Sequence, residues 1–209
     1  MHTKSILNAV NLSCFRQQTC LFKSLHFSLP AGTVLHIEGE NGVGKSSLLR
    51  LLAGLASPAS GEITWNQHAI SDWRANYKEN MHYIGHSNGI KLALTVTENL
   101  QVMARLALAK KPIIEPLLSS LQLQTHAQVQ AKYLSAGQRR RLALAKLFLF
   151  PRPLWILDEP LTSLDEMSQT FFLARLKEHL ALGGISIISS HYALILPDTD
   201  LKKLRLGAC

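Results

Sequence analysis

No apolar run in this sequence approaches the roughly 20 residues that a helix needs to span a bilayer. The richest stretches, 142–150 and 185–189, are too short. The first residues offer no apolar core for a secretory signal: Met1-His2-Thr3-Lys4 is soon followed by Asn8, Asn11 and Arg16. The expectation is a chain that stays in the cytosol and meets a membrane only through a partner or a surface patch. Cysteine is scarce. Cys14, Cys20 and Cys209 form no C-x-x-C pair, and their odd number fits a reducing compartment with three reduced thiols. Internal repeats and low-complexity linkers are missing as well. Acidic residues are outnumbered, 14 against 22 Lys and Arg, for a formal charge of +8. Such an excess suits nucleic acid, anionic lipid or a phosphorylated ligand. The basic residues are dispersed, however, and the densest cluster, Arg139-Arg140-Arg141, reads as a solvated helix face. No nucleic acid partner is expected.

What is present is a globular chain of 209 residues, 47% hydrophobic, long enough for one domain with a sizeable core. Residues 5–70 read as β-rich with one helix, at 46–55, whose leucines 48, 49, 51, 52 and 55 share a broad face. Strand-like runs lie at 34–38, 154–157 and 185–189. Helical patterns cover 97–110, 112–123, 136–150 and 164–180, the third broken by Pro151 and Pro153 and the last by Gly183-Gly184. Strands alternating with helices predict an α/β fold: a mainly parallel sheet flanked by helices on both faces. The helical stretch at about 88–150 predicts a lobe inserted into that core within a single domain, 1–209.

Two motifs carry chemistry. Gly39-Glu40-Asn41-Gly42-Val43-Gly44-Lys45-Ser46 fits G-x-x-x-x-G-K-[ST], between an expected strand and an expected helix. The first amides of a helix have no internal partners, so turned inward they form a nest for phosphate. Bulky side chains would block that approach, hence Gly39, Gly42 and Gly44. Lys45 is expected on the β- and γ-phosphates. Ser46 is expected at a magnesium ion, a hard cation that takes oxygen ligands, and Ser47 at the nucleotide. The second motif is Pro153-Leu154-Trp155-Ile156-Leu157-Asp158-Glu159-Pro160, an apolar run ending in two acids. A buried central strand delivers such acids to the sheet edge where α/β proteins bind ligands. Asp158 is expected to serve the metal, and Glu159 to act as general base or orienter of an attacking water.

Further residues carry a resemblance. Leu134-Ser135-Ala136-Gly137-Gln138 closely resembles the L-S-G-G-Q signature of ABC ATPases and lies about twenty residues before the acidic strand. Ser163-Leu164-Asp165 resembles the D-loop of that family, and His191 after a strand resembles its switch histidine. In order, the set spans residues 39–191. The resemblance implies a P-loop NTPase fold of the ABC type, with a β-rich N-terminal part and an inserted helical subdomain. It implies ATP and Mg2+ as ligands. Ser135, Gly137 and Gln138 would face the γ-phosphate on a second copy of the chain, His191 would contact that phosphate, and Asp165 would bridge two composite sites in an ATP-sandwiched homodimer.

Three positions depart from the family pattern. Ala136 replaces a signature glycine. His86, in Tyr83-Ile84-Gly85-His86, stands where a glutamine is usual. Arg16, with Phe15 beside it, stands where an adenine-stacking aromatic is usual, and either could stack on the base. The segments 37–42, 83–91, 134–138 and 153–160 resemble the ATPases of bacterial cytochrome c maturation (heme exporter) systems. That resemblance implies docking on an integral membrane permease at the cytoplasmic face of the inner membrane, through residues 86–100 with Ile90, Leu92 and Leu94 as candidates. Another small-molecule ABC exporter and a soluble non-transport ABC protein stay open as alternatives.

Overall fold

The structure is a computed structural model, and it describes residues 5–106, 114–191 and 193–207. Nine strands form two sheets among these residues. The first is antiparallel, order β2-β1-β4-β5, built from β1 (Ile6–Arg16), β2 (Thr19–Pro30), β4 (Ser60–Trp65) and β5 (His68–Ala69). The second has the order β6-β7-β8-β3-β9, from β3 (Thr33–Glu38), β6 (Met81–Ile84), β7 (Leu154–Asp158), β8 (Ile185–Ser189) and β9 (Asp200–Arg205). The pairs β7–β8, β8–β3 and β3–β9 are parallel.

Every residue of β7 and β8 is buried. That is the condition under which a strand reads as an unbroken apolar run rather than an alternating one. One face carries Leu35, Ile37, Ile156 and Ile187, which pack with Leu48, Leu49, Leu51 and Leu52 of α1 (Lys45–Leu52) in a single core cluster that also holds Leu7, Leu12 and Leu29 of the antiparallel sheet. Each fully buried leucine contributes about 2–3 kcal/mol. The Tyr77 hydroxyl ties α2 (Arg74–Glu79) to this core by donating to the Leu52 carbonyl at 2.6 Å. On the opposite face Trp155 stacks on His179 near the end of α7 (Glu166–Ala181), rings 3.9 Å apart and inclined by 10°. His179 Nε2 lies 3.2 Å from the Ile185 carbonyl, and burial pushes the imidazole down to about 4.

The chain divides into two compact units. One holds the residues up to Tyr83, Arg152–Glu159 and those from Leu173 onward, and the other holds Ile84–Pro151 and Pro160–Phe172. The second unit is helical: α3 (Val96–Leu106), α4 (Ile114–Ser120), α5 (Ala136–Leu144), α6 (Lys146–Leu149) and the start of α7. Its core joins Val96, Leu100, Leu117, Leu118, Leu123 and Leu142.

Several boundaries differ from expectation. The helix expected at 46–55 stops at Leu52, with Gly54 at positive φ. The helix expected at 136–150 is interrupted at Ala145, whose amide divides between the Arg141 and Leu142 carbonyls at 3.1 and 3.3 Å. The expected ends of the helices at 97–110 and 112–123 fall partly outside the described residues. Cys14 is a free, half-buried thiol, but Cys20 is disulfide-bonded, against the expectation of three reduced thiols. No helix among the described residues is long and apolar enough to cross a membrane.

Candidate functional site

In a parallel sheet all strands end on the same edge, and ligands gather there. Ile37, Asp158 and Ser189 lie in one register line across β3, β8 and β7. The loop 39–44, the Asp158–Glu159 pair and the Ser190-His191 segment therefore leave the sheet together. Glu38, Gly39, Glu40, Asn41, Gly42 and Val43 line a cleft of about 890 Å³ with Ser190, His191 and Arg205, a volume suited to a small-molecule ligand.

The loop is shaped for anions. Gly39, Gly42 and Gly44 take φ of 150°, 83° and 113°. A Cβ on Gly39 would lie 2.9 Å from the Leu206 carbonyl oxygen, so no side chain fits. Gly44 is the N-cap of α1. It supplies no side-chain cap, and the first turn carries no acidic residue, so the helix start keeps its positive field for a ligand. Lys45 is buried, and its ammonium donates to the Gly39 and Glu40 carbonyls at 2.7 and 2.9 Å. Ser46 is exposed and Ser47 half-buried.

Asp158 is 3% exposed and accepts the Ser189 hydroxyl at 2.6 Å. The same hydroxyl oxygen accepts the Glu159 amide at 3.0 Å. Glu159 has φ 49°, an uncommon left-handed conformation for a side-chain-bearing residue. That turn lets adjacent acids leave the strand in different directions. Glu159 Oε1 lies 2.6 Å from His191 Nε2. Burial first, and the Asp158 charge second, push the Tyr83 phenol up. Phe15 and Arg16 are both exposed, at the β1–β2 hairpin. His86 is exposed, whereas His36 and His82 are buried.

The second unit gathers the other expected residues. Ser135 caps α5 in a full capping box: its Oγ accepts the Gln138 amide at 3.2 Å, and Gln138 Oε1 accepts the Ser135 amide at 2.8 Å. Gly137 is needed for a close approach, because a Cβ there would lie 2.5 Å from the Ser163 carbonyl oxygen. Asp165 accepts the Ser168 amide at 2.8 Å and Arg141 at 3.0 Å. Ser168 chiefly, and Arg141 less, hold its carboxyl below the usual range.

The solvated face expected for Arg139–Arg141 is corrected. Arg140 is buried and donates to the Pro160 and Gly85 carbonyls at 3.3 Å and to Asn88 Oδ1 at 3.0 Å. Arg141 is mostly buried against Asp165 and Ser168. A helix turns about 100° per residue, so three successive arginines cannot share one face. Of the docking candidates, Leu92 is 51% exposed, while Ile90 packs partly into the second core. Sequence reasoning missed Ser189 and Arg140. The polar end of the run 185–189 was the available signal for the first, and nothing local marked the second.

The ABC transporter family model matches residues 22–162. The chain is 42% identical to the cytochrome c biogenesis ATP-binding export protein CcmA of Haemophilus influenzae, over 97% of this chain and 95% of that protein. It is 44% identical to the protein of the same name from Methylococcus capsulatus, over 90% and 92%. Among solved structures it is similar to a putative ABC transporter ATP-binding protein from Pyrococcus furiosus, TM-score 0.81 at 26% identity, covering 96% of this chain and 97% of that one.

Proposed function

Since this chain belongs to the ABC transporter family, in the group of cytochrome c biogenesis ATP-binding export proteins, we propose that it is the ATP-hydrolysing subunit of a transporter that powers heme export or heme-chaperone release in cytochrome c maturation. The observation that carries the reading is the shared sheet edge, where the phosphate loop, the Asp158–Glu159 pair and His191 leave neighbouring strands.

On this reading the amides of residues 39–46 hold the triphosphate, and the Lys45 ammonium passes from two carbonyls to phosphate oxygens. Ser46 and Asp158 are hard oxygen donors of the kind magnesium takes. Among the described residues no group of three His, Cys, Asp or Glu offers it a protein cage. Such an ion would neutralise phosphate charge. Glu159 takes the proton of the attacking water, and His191, already against its carboxylate, positions it and reaches the γ-phosphate.

The chain carries one phosphate loop and one signature. A complete site therefore requires a second copy whose Ser135, Gly137 and Gln138 close over the nucleotide, with Asp165 between the two sites. Both compact units form one ABC ATPase domain, the helical subdomain being inserted at about 88–150. The segment 86–100, with exposed Leu92, docks on an integral membrane permease and holds the protein at the cytoplasmic face of the inner membrane.

Glu159→Gln keeps ATP and loses hydrolysis, so gel filtration with ATP and magnesium should show a dimer. A monomer under those conditions overturns the composite site. Capture of the membrane partners from solubilised membranes tests the transporter assignment, and a permease unrelated to cytochrome c maturation would redirect it.

A further inference from the structure

His126 lies in the short 3-10 turn Gln124–His126, ahead of the signature and outside every motif. Both of its ring nitrogens are engaged: Nδ1 lies 3.0 Å from Thr125 Oγ1, and Nε2 lies 3.0 Å from Gln138 Nε2. An amide nitrogen can only donate, so the histidine Nε2 must accept. The ring proton is then on Nδ1 and is donated to the Thr125 hydroxyl.

Gln138 has its other end committed, because its Oε1 accepts the Ser135 amide at 2.8 Å. A flipped Gln138 amide would set its NH2 against the Ser135 N–H, donor against donor, so only one orientation satisfies all partners. Ser135 Oγ in turn accepts the Gln138 amide at 3.2 Å. One of the two lone pairs of the Ser135 hydroxyl thus accepts inside the protein, and the hydroxyl of this exposed residue can donate its proton outward.

We propose that His126 is a positioning residue for the signature: by accepting from Gln138 Nε2 it fixes the amide that closes the capping box, and so aims the Ser135 hydroxyl proton at a phosphate of the second copy. This rests on the composite-site reading above. The Ser135 N–H selects the amide orientation at Oε1, and His126 holds it at Nε2, where a water could donate as readily as accept.

The test uses the full chain carrying Glu159→Gln, with and without His126→Leu or His126→Gln. Leucine keeps bulk and removes the acceptor, whereas glutamine keeps an acceptor at similar reach. At saturating ATP and magnesium, H126L should weaken the dimer by about tenfold for each composite site, the effect of losing one well-aligned hydrogen bond. H126Q should recover most of that loss. Binding of ATP to the monomer should be unchanged in both variants. Amide exchange at Ser135 and Gln138 should accelerate in H126L and recover in H126Q.

A dimer as tight in H126L as in its parent overturns the proposal, even if exchange accelerates. A loss that H126Q does not recover, or one accompanied by weaker monomer binding of ATP, overturns it too, since packing alone would explain it. If the Glu159→Gln parent stays monomeric, the composite-site reading fails instead. Amide exchange then decides the His126 contact alone, and unchanged exchange in H126L removes it.

Discussion

Helix α1 and helix α5 both begin at expected phosphate contacts, and they begin differently. At α1 the N-cap is a glycine in the left-handed region, with no side chain spent on the first-turn amides. At α5 the N-cap serine and the glutamine of the same turn have already satisfied two amides between them. The first start is open and can wrap an anion with main-chain groups. The second is half capped, and it offers the remaining first-turn amides, the helix field and one hydroxyl proton. The α1 start presents more main-chain donors to an anion than the α5 start does. That asymmetry fits the proposed site shared between two copies.

The contrast breaks most readily at α1. Lys45→Ala should lower ATP affinity of the monomer by at least about a hundredfold, since a charge-assisted contact worth about 3 kcal/mol disappears. Calorimetry on dilute protein measures it, and near-normal affinity would show that the amides suffice without the lysine. Acid should separate the two regions next. His179 belongs to the unit that carries the phosphate loop, and burial keeps its ring neutral in the folded state down to about 4. The unfolded ring takes a proton near 6.5. Between these values the unfolded chain binds more protons, so stability falls as pH falls, by up to about 3 kcal/mol. Urea unfolding at pH 7 and pH 4.5, followed by tryptophan fluorescence, reads the slope, and His179→Gln should flatten it. The smallest effect belongs to α5. Ser135→Ala removes the cap for about 1 kcal/mol of stability and should leave monomer ATP binding untouched. Weaker binding in the monomer would mean that the second helix takes part without a partner.

Legibility in the sequence followed how locally each feature is encoded. The phosphate loop, the acidic strand end and the central strands are written in consecutive residues: β7 was readable from its apolar run Leu154–Leu157, and β8 from three isoleucines among two buried serines. Strand β9 escaped notice because Asp200–Arg205 is an edge strand of mostly exposed charges, held by pairing to β3 rather than by its own pattern. Arg140 and Arg139 look alike in the chain, yet one is buried against three acceptors and the other is half-buried and donates to the Lys132 carbonyl at 3.5 Å. The deciding partners of Arg140, at 85, 88 and 160, are remote in sequence. The contact between Gln138 and His126 was likewise invisible, because tautomer and amide orientation follow from the assembled geometry.

Ser189 carries the last consequence. One hydroxyl group, buried at the end of β8, touches the carboxylate of Asp158 and the main chain of Glu159. The two contacts are tied to one group: any tilt of that strand end moves the Asp158 carboxylate and the Glu159 main chain as a linked pair. The edge thus carries one shared pin for two adjacent acids rather than two independent fastenings.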